Sequence, residues 1–267
     1  MTFSIGIIPL LKAEKQNGNF TFMIHNIVQA AKTHKNYQWA WQNYEHIVQQ
    51  IIESQTGKNV MEIGGGRFPT FDQAYVEKQG LKYTSNDISE RELSLAPHWV
   101  QRAHFDVQTA DESAIEPFCN QYDVCFSKMV MEHVESYDRA YKNIFRILRP
   151  GGMSIAFHPV LYTLPFLVNL AIPDSLSSKL LASVFPNRTD DGIPKFEAYY
   201  SGCRISQSVR DNIQSHGFSA VWQVPFYGHN YYSKFPIIRN IHSTVNDMIQ
   251  DANISVLASF CYTIVKK

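Results

Sequence analysis

The stretch Asn59-Val60-Met61-Glu62-Ile63-Gly64-Gly65-Gly66-Arg67-Phe68-Pro69 constrains this chain more than any other. A short apolar run ends in an acid and then in three consecutive glycines. This reads as a buried parallel strand, Val60 to Ile63, delivering the backbone to a tight turn where a side chain at Gly64 or Gly66 would block a ligand. Glycine turns after a first strand also cradle dinucleotides, but that fingerprint wants G-x-G-x-x-G, and here the sixth position is Pro69.

The acid points to a different ligand. A carboxylate at Glu62 would repel a pyrophosphate, whereas it suits a cofactor that carries an ammonium and a sulfonium and no phosphate. S-adenosylmethionine is such a molecule. An ordinary structural glycine turn is the alternative, so the rest of the chain has to decide.

With 267 residues and 45% hydrophobic content, the chain is long enough for one large α/β domain with an insertion. Lys plus Arg and Asp plus Glu both total 24, so no net field steers the protein toward nucleic acid or an anionic membrane. A small-molecule partner gains weight. Cys119, Cys125, Cys203 and Cys261 are scattered without a C-x-x-C pair, so no metal set is expected. No apolar run reaches the roughly 18 residues that a transmembrane helix needs. The apolar opening Met1 to Leu11 lacks a basic region before it and a cleavage site after it, so a cytoplasmic protein is expected.

Two amphipathic helices precede the glycine turn. Ile24, Ile27, Val28 and Ala31 recur at helical spacing, and Trp41, Tyr44, Val48, Ile51 and Ile52 repeat the pattern. Packing against a sheet accounts for them, while the cluster Tyr37, Trp39, Trp41 and Tyr44 keeps a lid role open. A helix over Phe71 to Gln79 follows the turn, and then a second strand ends at Asp87, 25 positions after Glu62. That separation fits one helix returning the chain to a neighbouring parallel strand. The Asp87 carboxylate can accept two ribose hydroxyls; its competing role is a helix N-cap, for which Ser89 is better placed. A third strand ends near Asp106 or Asp111, with Asp106 preferred.

Tyr122 to Ser127 reads as the fourth strand, Tyr137 to Leu148 as a helix stopped by Arg149-Pro150-Gly151-Gly152, and Met153 to His158 as the fifth strand. Beyond it, an apolar Leu161 to Ile172, a helix bearing Leu176 to Val184 and a polar loop Pro186 to Pro194 read as an insertion. Phe196, Tyr199 and Tyr200 come next. A helix from Ser206 to His216, a strand from Phe218 to Phe226, a helix near Ile237 to Gln250 and a strand from Ala258 to Val265 complete the chain. The expected organisation is N-terminal helices over 1–55, a cofactor core over 56–160, an insertion over 161–205 and a C-terminal completion of the sheet over 206–267.

Glu62-Ile63-Gly64-Gly65-Gly66, Asn86-Asp87-Ile88-Ser89, Tyr122-Asp123-Val124, Met131-Glu132-His133-Val134 and Ile147-Leu148-Arg149-Pro150-Gly151-Gly152 stand in one order. In that order they resemble class I S-adenosylmethionine-dependent methyltransferases, in particular the small-molecule branch that includes quinone and sterol methyltransferases. The likeness covers about residues 38 to 160, and it departs at Phe68, where the family often has a further glycine. It implies a Rossmann-like three-layer α/β sandwich, with a seven-stranded, mostly parallel sheet, an antiparallel last strand and a helical insertion after the fifth strand. It also implies cofactor contacts from Glu62, Gly64, Gly65, Gly66, Asp87, Ile88, Asp106, Val107 and Ser127. Independently of that likeness, the apolar and aromatic surface of the insertion is expected to line a pocket for a small hydrophobic or aromatic acceptor methylated on O, N or C, with Tyr199 and Tyr200 as substrate contacts; a dimer interface or a membrane-surface patch is the competing reading.

Methyl transfer from a sulfonium is a direct displacement needing alignment and no metal. A hydroxyl acceptor would need a base, for which His133 and His158 are the candidates. An NAD-dependent oxidoreductase and a non-catalytic S-adenosylmethionine-binding module are the competing readings, and a homodimer is left open.

Overall fold

The computed structural model describes residues 19–163, 196–232 and 236–267. The opening Met1 to Leu11, the helix expected over Leu176 to Val184, the loop Pro186 to Pro194 and most of Leu161 to Ile172 lie outside the described residues.

Seven strands form one sheet: β1 (Asn59–Ile63), β2 (Lys82–Asp87), β3 (Gln101–His104), β4 (Tyr122–Lys128), β5 (Leu148–Pro159), β6 (Ala220–Phe226) and β7 (Phe260–Lys266). Their order across the sheet is β3-β2-β1-β4-β5-β7-β6. The first five are mutually parallel, and β7 runs antiparallel between β5 and β6. The expected fold class is therefore the observed one. The order reverses between β1 and β4, and in an open α/β sheet such a reversal opens a crevice at the strands' C-terminal ends.

The two N-terminal helices are α1 (Asn19–His34) and α2 (Tyr37–Ser54), the second capped by the Asn36 side chain. The apolar spacing of α2 buries Ala40, Tyr44, Ile47, Val48, Ile51 and Ile52. Tyr44 packs on Phe157 of β5 and Tyr262 of β7, and its hydroxyl donates to the Ser127 carbonyl. These helices are thus built into the core, whatever their outer faces do.

The next four helices are α3 (Gln73–Gln79), α4 (Glu90–Ser94), α5 (Glu112–Ile115) and α6 (Tyr137–Ile147), capped by Asp72, Ser89, Asp111 and Ser136. After them come α7 (Gln207–Ser215) and α8 (Pro236–Asp251). Strand alternation assigns the faces. Phe126 and Phe157 point toward Phe71 and α2, while Thr263 meets Tyr141 of α6 on the opposite face. At the far end of the strands, Asp123 accepts from the Asn59 backbone N–H and pairs with Arg149, which locks the starts of β1, β4 and β5.

Candidate active site

The glycine turn leaves β1 with Gly64 at φ 73° and Gly66 at φ 49°, backbone that only glycine adopts readily. Their crowding is internal. A Cβ on Gly64 would stand 2.5 Å from Val130 Cγ2, one on Gly65 2.6 Å from Ser85 Oγ, and one on Gly66 3.0 Å from Asp87 Oδ2. The expectation that side chains here would block a ligand is thus sharpened: they would first collide with the loop after β4 and with the end of β2.

Glu62 is buried and its carboxylate is already engaged. It accepts from the Thr70 backbone N–H at 3.0 Å and from the hydroxyls of Thr70 and Tyr83. Burial raises its pKa, with those hydrogen bonds opposing the rise. The side chain pins the turn Gly64 to Thr70 against β2, so its influence on a ligand runs through the backbone it holds and through its charge. Thr70 and Tyr83 carry no sequence signal that would pair them with Glu62. A second clamp is the bidentate pair between Arg67 and Glu92, at 2.5 and 2.6 Å, which ties the turn to α4.

Asp87 ends β2 as the spacing requires. Its Oδ1 accepts from the Ser89 N–H at 2.8 Å, while Ser89 caps α4 through the Glu92 N–H. The capping role thus falls to Ser89, and Asp87 braces the Ser89 backbone. Burial raises the Asp87 pKa. Ile88, next in the chain, is 51% exposed, an isoleucine presented to whatever lies beyond the strand end.

Asp106 and Asp111 part company. Asp111 is exposed and spends its carboxylate on the N–H and O–H of Ser113, capping α5. Asp106 directly follows Phe105, the residue after β3, and turns the chain by accepting from the Gln108 N–H. Val107 is buried, and Asn143 of α6 donates to the carbonyls of Val107 and Thr109 at 2.9 and 3.0 Å. Asn143 is a loop-holding residue that sequence reasoning missed, since an asparagine on a helix face carries no mark of its partner.

Beyond Ser127, β4 ends at Lys128, and Met129 adopts φ 57°. A non-glycine residue there is strained, and it swings the chain into a 3-10 turn, Met131–His133. That turn holds the segment 196–201. The Glu132 carbonyl accepts from the N–H groups of Tyr199 and Tyr200 at 2.7 and 3.0 Å, His133 Nδ1 donates to the Glu197 carbonyl at 2.9 Å, and Ser201 Oγ donates to the Val134 carbonyl. The Glu132 side chain is buried with Oε2 unpartnered, and burial pushes its pKa up to about 8.

His133 keeps its Nε2 on the open side of this turn, 4.0 Å from Glu132 Oε1. His158 differs. It is buried, its Nδ1 donates to the Pro159 carbonyl and its Nε2 accepts from Thr263 Oγ1 at 2.9 Å, and burial pushes its pKa down to about 4. Both ring nitrogens are used inside the sheet, so the sequence expectation for His158 as a base has no free atom to rest on. Tyr200 is also buried, at φ 52°, and Tyr199 alone of the pair leaves its ring 37% exposed.

Among the described residues the site therefore presents acids around a glycine turn and almost no free cation. Helix α3 begins seven residues beyond Gly66, and Asp72 caps it by accepting from the Tyr75 N–H, so its N-terminus is already occupied by a carboxylate. That is a poor seat for a pyrophosphate and a fitting one for a phosphate-free, cationic cofactor.

Comparison with known proteins agrees. Residues 61–156 match the family described as "Methyltransferase domain". Over those residues the chain is similar to class I S-adenosylmethionine-dependent methyltransferase domains. Uncharacterized methyltransferases of Mycobacterium sp. (strain KMS) and Mycobacteroides abscessus are each 29% identical to the chain, over 110 and 107 residues. Each alignment spans 39% of this chain and 40% of the relative, so the chain matches well under half of their length.

Among solved structures, an S-adenosylmethionine-dependent methyltransferase from Archaeoglobus fulgidus superposes with TM-score 0.50 at 13% identity, covering 87% of this chain and all of that one. Phosphoethanolamine N-methyltransferase 2 of Haemonchus contortus, solved with S-adenosyl-L-methionine, gives 0.51 at 15% identity, covering 85% of this chain and 52% of that one. These structures share the fold of the methyltransferase domain. No described helix is long and apolar enough to cross a membrane, and no group of three or more His, Cys, Asp or Glu among the described residues could hold a metal.

Proposed function

We propose that the protein transfers a methyl group from S-adenosylmethionine to an O, N or C nucleophile of a small hydrophobic or aromatic acceptor. The observation that carries this reading is the capped, acid-rich turn after β1, with Asp87 at the end of β2. Bound there, S-adenosylmethionine would supply an electrophilic methyl group on a sulfonium.

The chain's own residues do the positioning. Asp87 has lone pairs left after bracing Ser89 and would hold the ribose hydroxyls, with Ile88, Asp106 and Val107 beside the adenine. Glu62, through Thr70 and Tyr83, fixes Gly64, Gly65 and Gly66 so that their backbone is ready for the methionine part. Ser127 closes the β4 side, its carbonyl held by Tyr44. For a hydroxyl acceptor His133 is the base: its Nδ1 proton is committed to Glu197, which leaves the Nε2 lone pair to accept a proton. Phe196, its ring centroid 6.1 Å from that of His133, and the exposed Tyr199 on the same segment offer rings to the acceptor, and Tyr200 supports them from the core.

Calorimetry with S-adenosylhomocysteine and with NAD tests the assignment. The first should bind and the second should not, and Asp87→Ala should weaken the first by roughly 3 kcal/mol, about 150-fold, for two hydrogen bonds to a charged acceptor. NAD binding without a S-adenosylhomocysteine signal would overturn it. An Asp87→Ala variant with unchanged affinity and a lowered melting temperature would reduce Asp87 to a brace for α4.

A further inference from the structure

One cation at the C-terminal edge has no part in the cofactor contacts above. Lys128, the last residue of β4, is exposed and rests its Nζ 4.9 Å from the centroid of the Trp41 ring and 5.9 Å from that of Tyr44. Among the described residues no carboxylate lies within 4 Å of it. The acids acting on it from further away are Glu45 and Glu62, and Glu62 is already taken by Thr70 and Tyr83. Partial burial lowers the pKa of the ammonium, with the charges of Glu45 and Glu62 opposing the fall. Ring faces compensate such a charge only in part, at about 0.5–2 kcal/mol.

The surroundings say what would complete it. Trp41 is 38% exposed, and its ring meets Phe157 of β5 and Phe260 of β7 edge-on, at 5.0 and 5.8 Å. Lys128 pairs in register with Phe157. The cation and its aromatic floor therefore sit over β4, β5 and β7, on the other side of the β1/β4 reversal from Asp87 and Asp106. A methyl acceptor has to approach from that side if the cofactor lies along β1 to β3.

We propose that Lys128 and Trp41 form an acceptor subsite that takes a carboxylate borne on an aromatic or apolar body, the anion on the ammonium and the body against the rings. The proposal rests on the methyltransferase reading and narrows its acceptor class to organic acids. An oxyanion could also come from the methionine part of the cofactor, so the test separates the two sources.

The full chain, saturated with S-adenosylhomocysteine, would be titrated by NMR with benzoate and with its uncharged counterpart, benzyl alcohol. In the wild type benzoate should bind about tenfold tighter. Lys128→Met should erase that preference and Lys128→Arg should keep it, with the affinity for S-adenosylhomocysteine within twofold in both variants. An equal response to the two probes, or a preference that survives in Lys128→Met, would overturn the subsite. So would a Lys128→Met variant that binds S-adenosylhomocysteine tenfold more weakly but 5′-methylthioadenosine normally, because the cation would then serve the cofactor's carboxylate. A wild type that binds no S-adenosylhomocysteine would refute the methyltransferase reading itself, a result read before any probe is added.

Discussion

The two sides of the sheet are held by different forces. Around β1, β2 and β3, where Tyr83 still packs on Phe71 and Phe126, polar side chains also reach for loops: Glu62 holds Thr70, Arg67 holds Glu92, and Asn86 donates to the carbonyls of Ala103 and Phe105. Around β5, β7 and β6, rings stack: Tyr44, Phe157, Tyr262 and Phe226 are fully buried, and Trp39 and Trp41 cover them from α2. The first arrangement fixes backbone positions to within a hydrogen bond, which a polar ligand requires. The second fixes volume and leaves a ring surface whose fit is less directional, suited to an apolar acceptor. If the division is real, a mutation should damage one property and spare the other.

The largest expected effect lies among the rings. Phe157 is completely buried and touches Trp41, Tyr44, Phe260 and Tyr262. Phe157→Ala should cost about 4 kcal/mol of unfolding free energy by urea denaturation, from lost transfer energy and the cavity left behind. Affinity for S-adenosylhomocysteine, measured on the fraction still folded, should hardly move. A parallel fall in affinity would break the division, since it would show the rings positioning the cofactor as well.

Three titrating groups test it with pH. His158 has its pKa depressed to about 4, so the unfolded chain binds its proton more readily. The stability it contributes is present above pH ~6.5 and is lost as the pH falls toward 4, with a ceiling of about 3 kcal/mol. His229, lowered likewise by burial, acts in the same direction. Glu132 has the opposite sign. Its pKa is raised to about 8, so its contribution is present below pH ~4.5 and is lost as the pH rises through 8, at about 3 kcal/mol by pH 7. The limbs overlap between pH ~4.5 and ~6.5, where two histidines outweigh one glutamate, so stability should peak near pH ~6.5, and Glu132→Gln should flatten the alkaline limb alone. An unchanged alkaline limb in that variant would mean that Glu132 finds a partner for its charge.

These forces also decide what the sequence could reveal. The ring side and the succession of strands along the chain were legible because burial leaves a period: Tyr44, Val48, Ile51 and Ile52 recur at helical spacing, and the strand ends are marked by Glu62, Asp87 and Asp106. Ser89 as the cap of α4 was legible for the same local reason. Partnerships across the fold were not. Nothing in the chain links Glu62 to Tyr83, Asn143 to Val107, or His133 to Glu197 some 64 residues on. His158 illustrates the cost: an ionisable residue at a strand end looks catalytic until Thr263, 105 positions later, is seen to hold it. Lys128 carries no mark of its surroundings either: a lysine at a strand end usually means solvent, and the Trp41 ring beneath it comes from a helix 87 residues earlier.

The smallest effect is the most discriminating. Gly64→Ala faces two separable penalties: a φ of 73° that costs a residue with a Cβ about 1 kcal/mol, and a Cβ position 2.5 Å from Val130 Cγ2. Val130 is only half-buried, so Val130→Ala alone should cost under about 1 kcal/mol. Combined with Gly64→Ala it removes the colliding methyl, and the double variant should regain the steric share of the loss while keeping the dihedral share, a non-additivity of about 1 kcal/mol that a double-mutant cycle measures. Affinity for S-adenosylhomocysteine in the same four proteins then decides what the glycine is for. Recovery of affinity together with stability means that Gly64 is small so that the turn can pack against the loop after β4, and the cofactor meets only its backbone. Stability restored with affinity still lost means that the added methyl also stands where the cofactor must lie, and Gly64 then belongs to the binding surface itself.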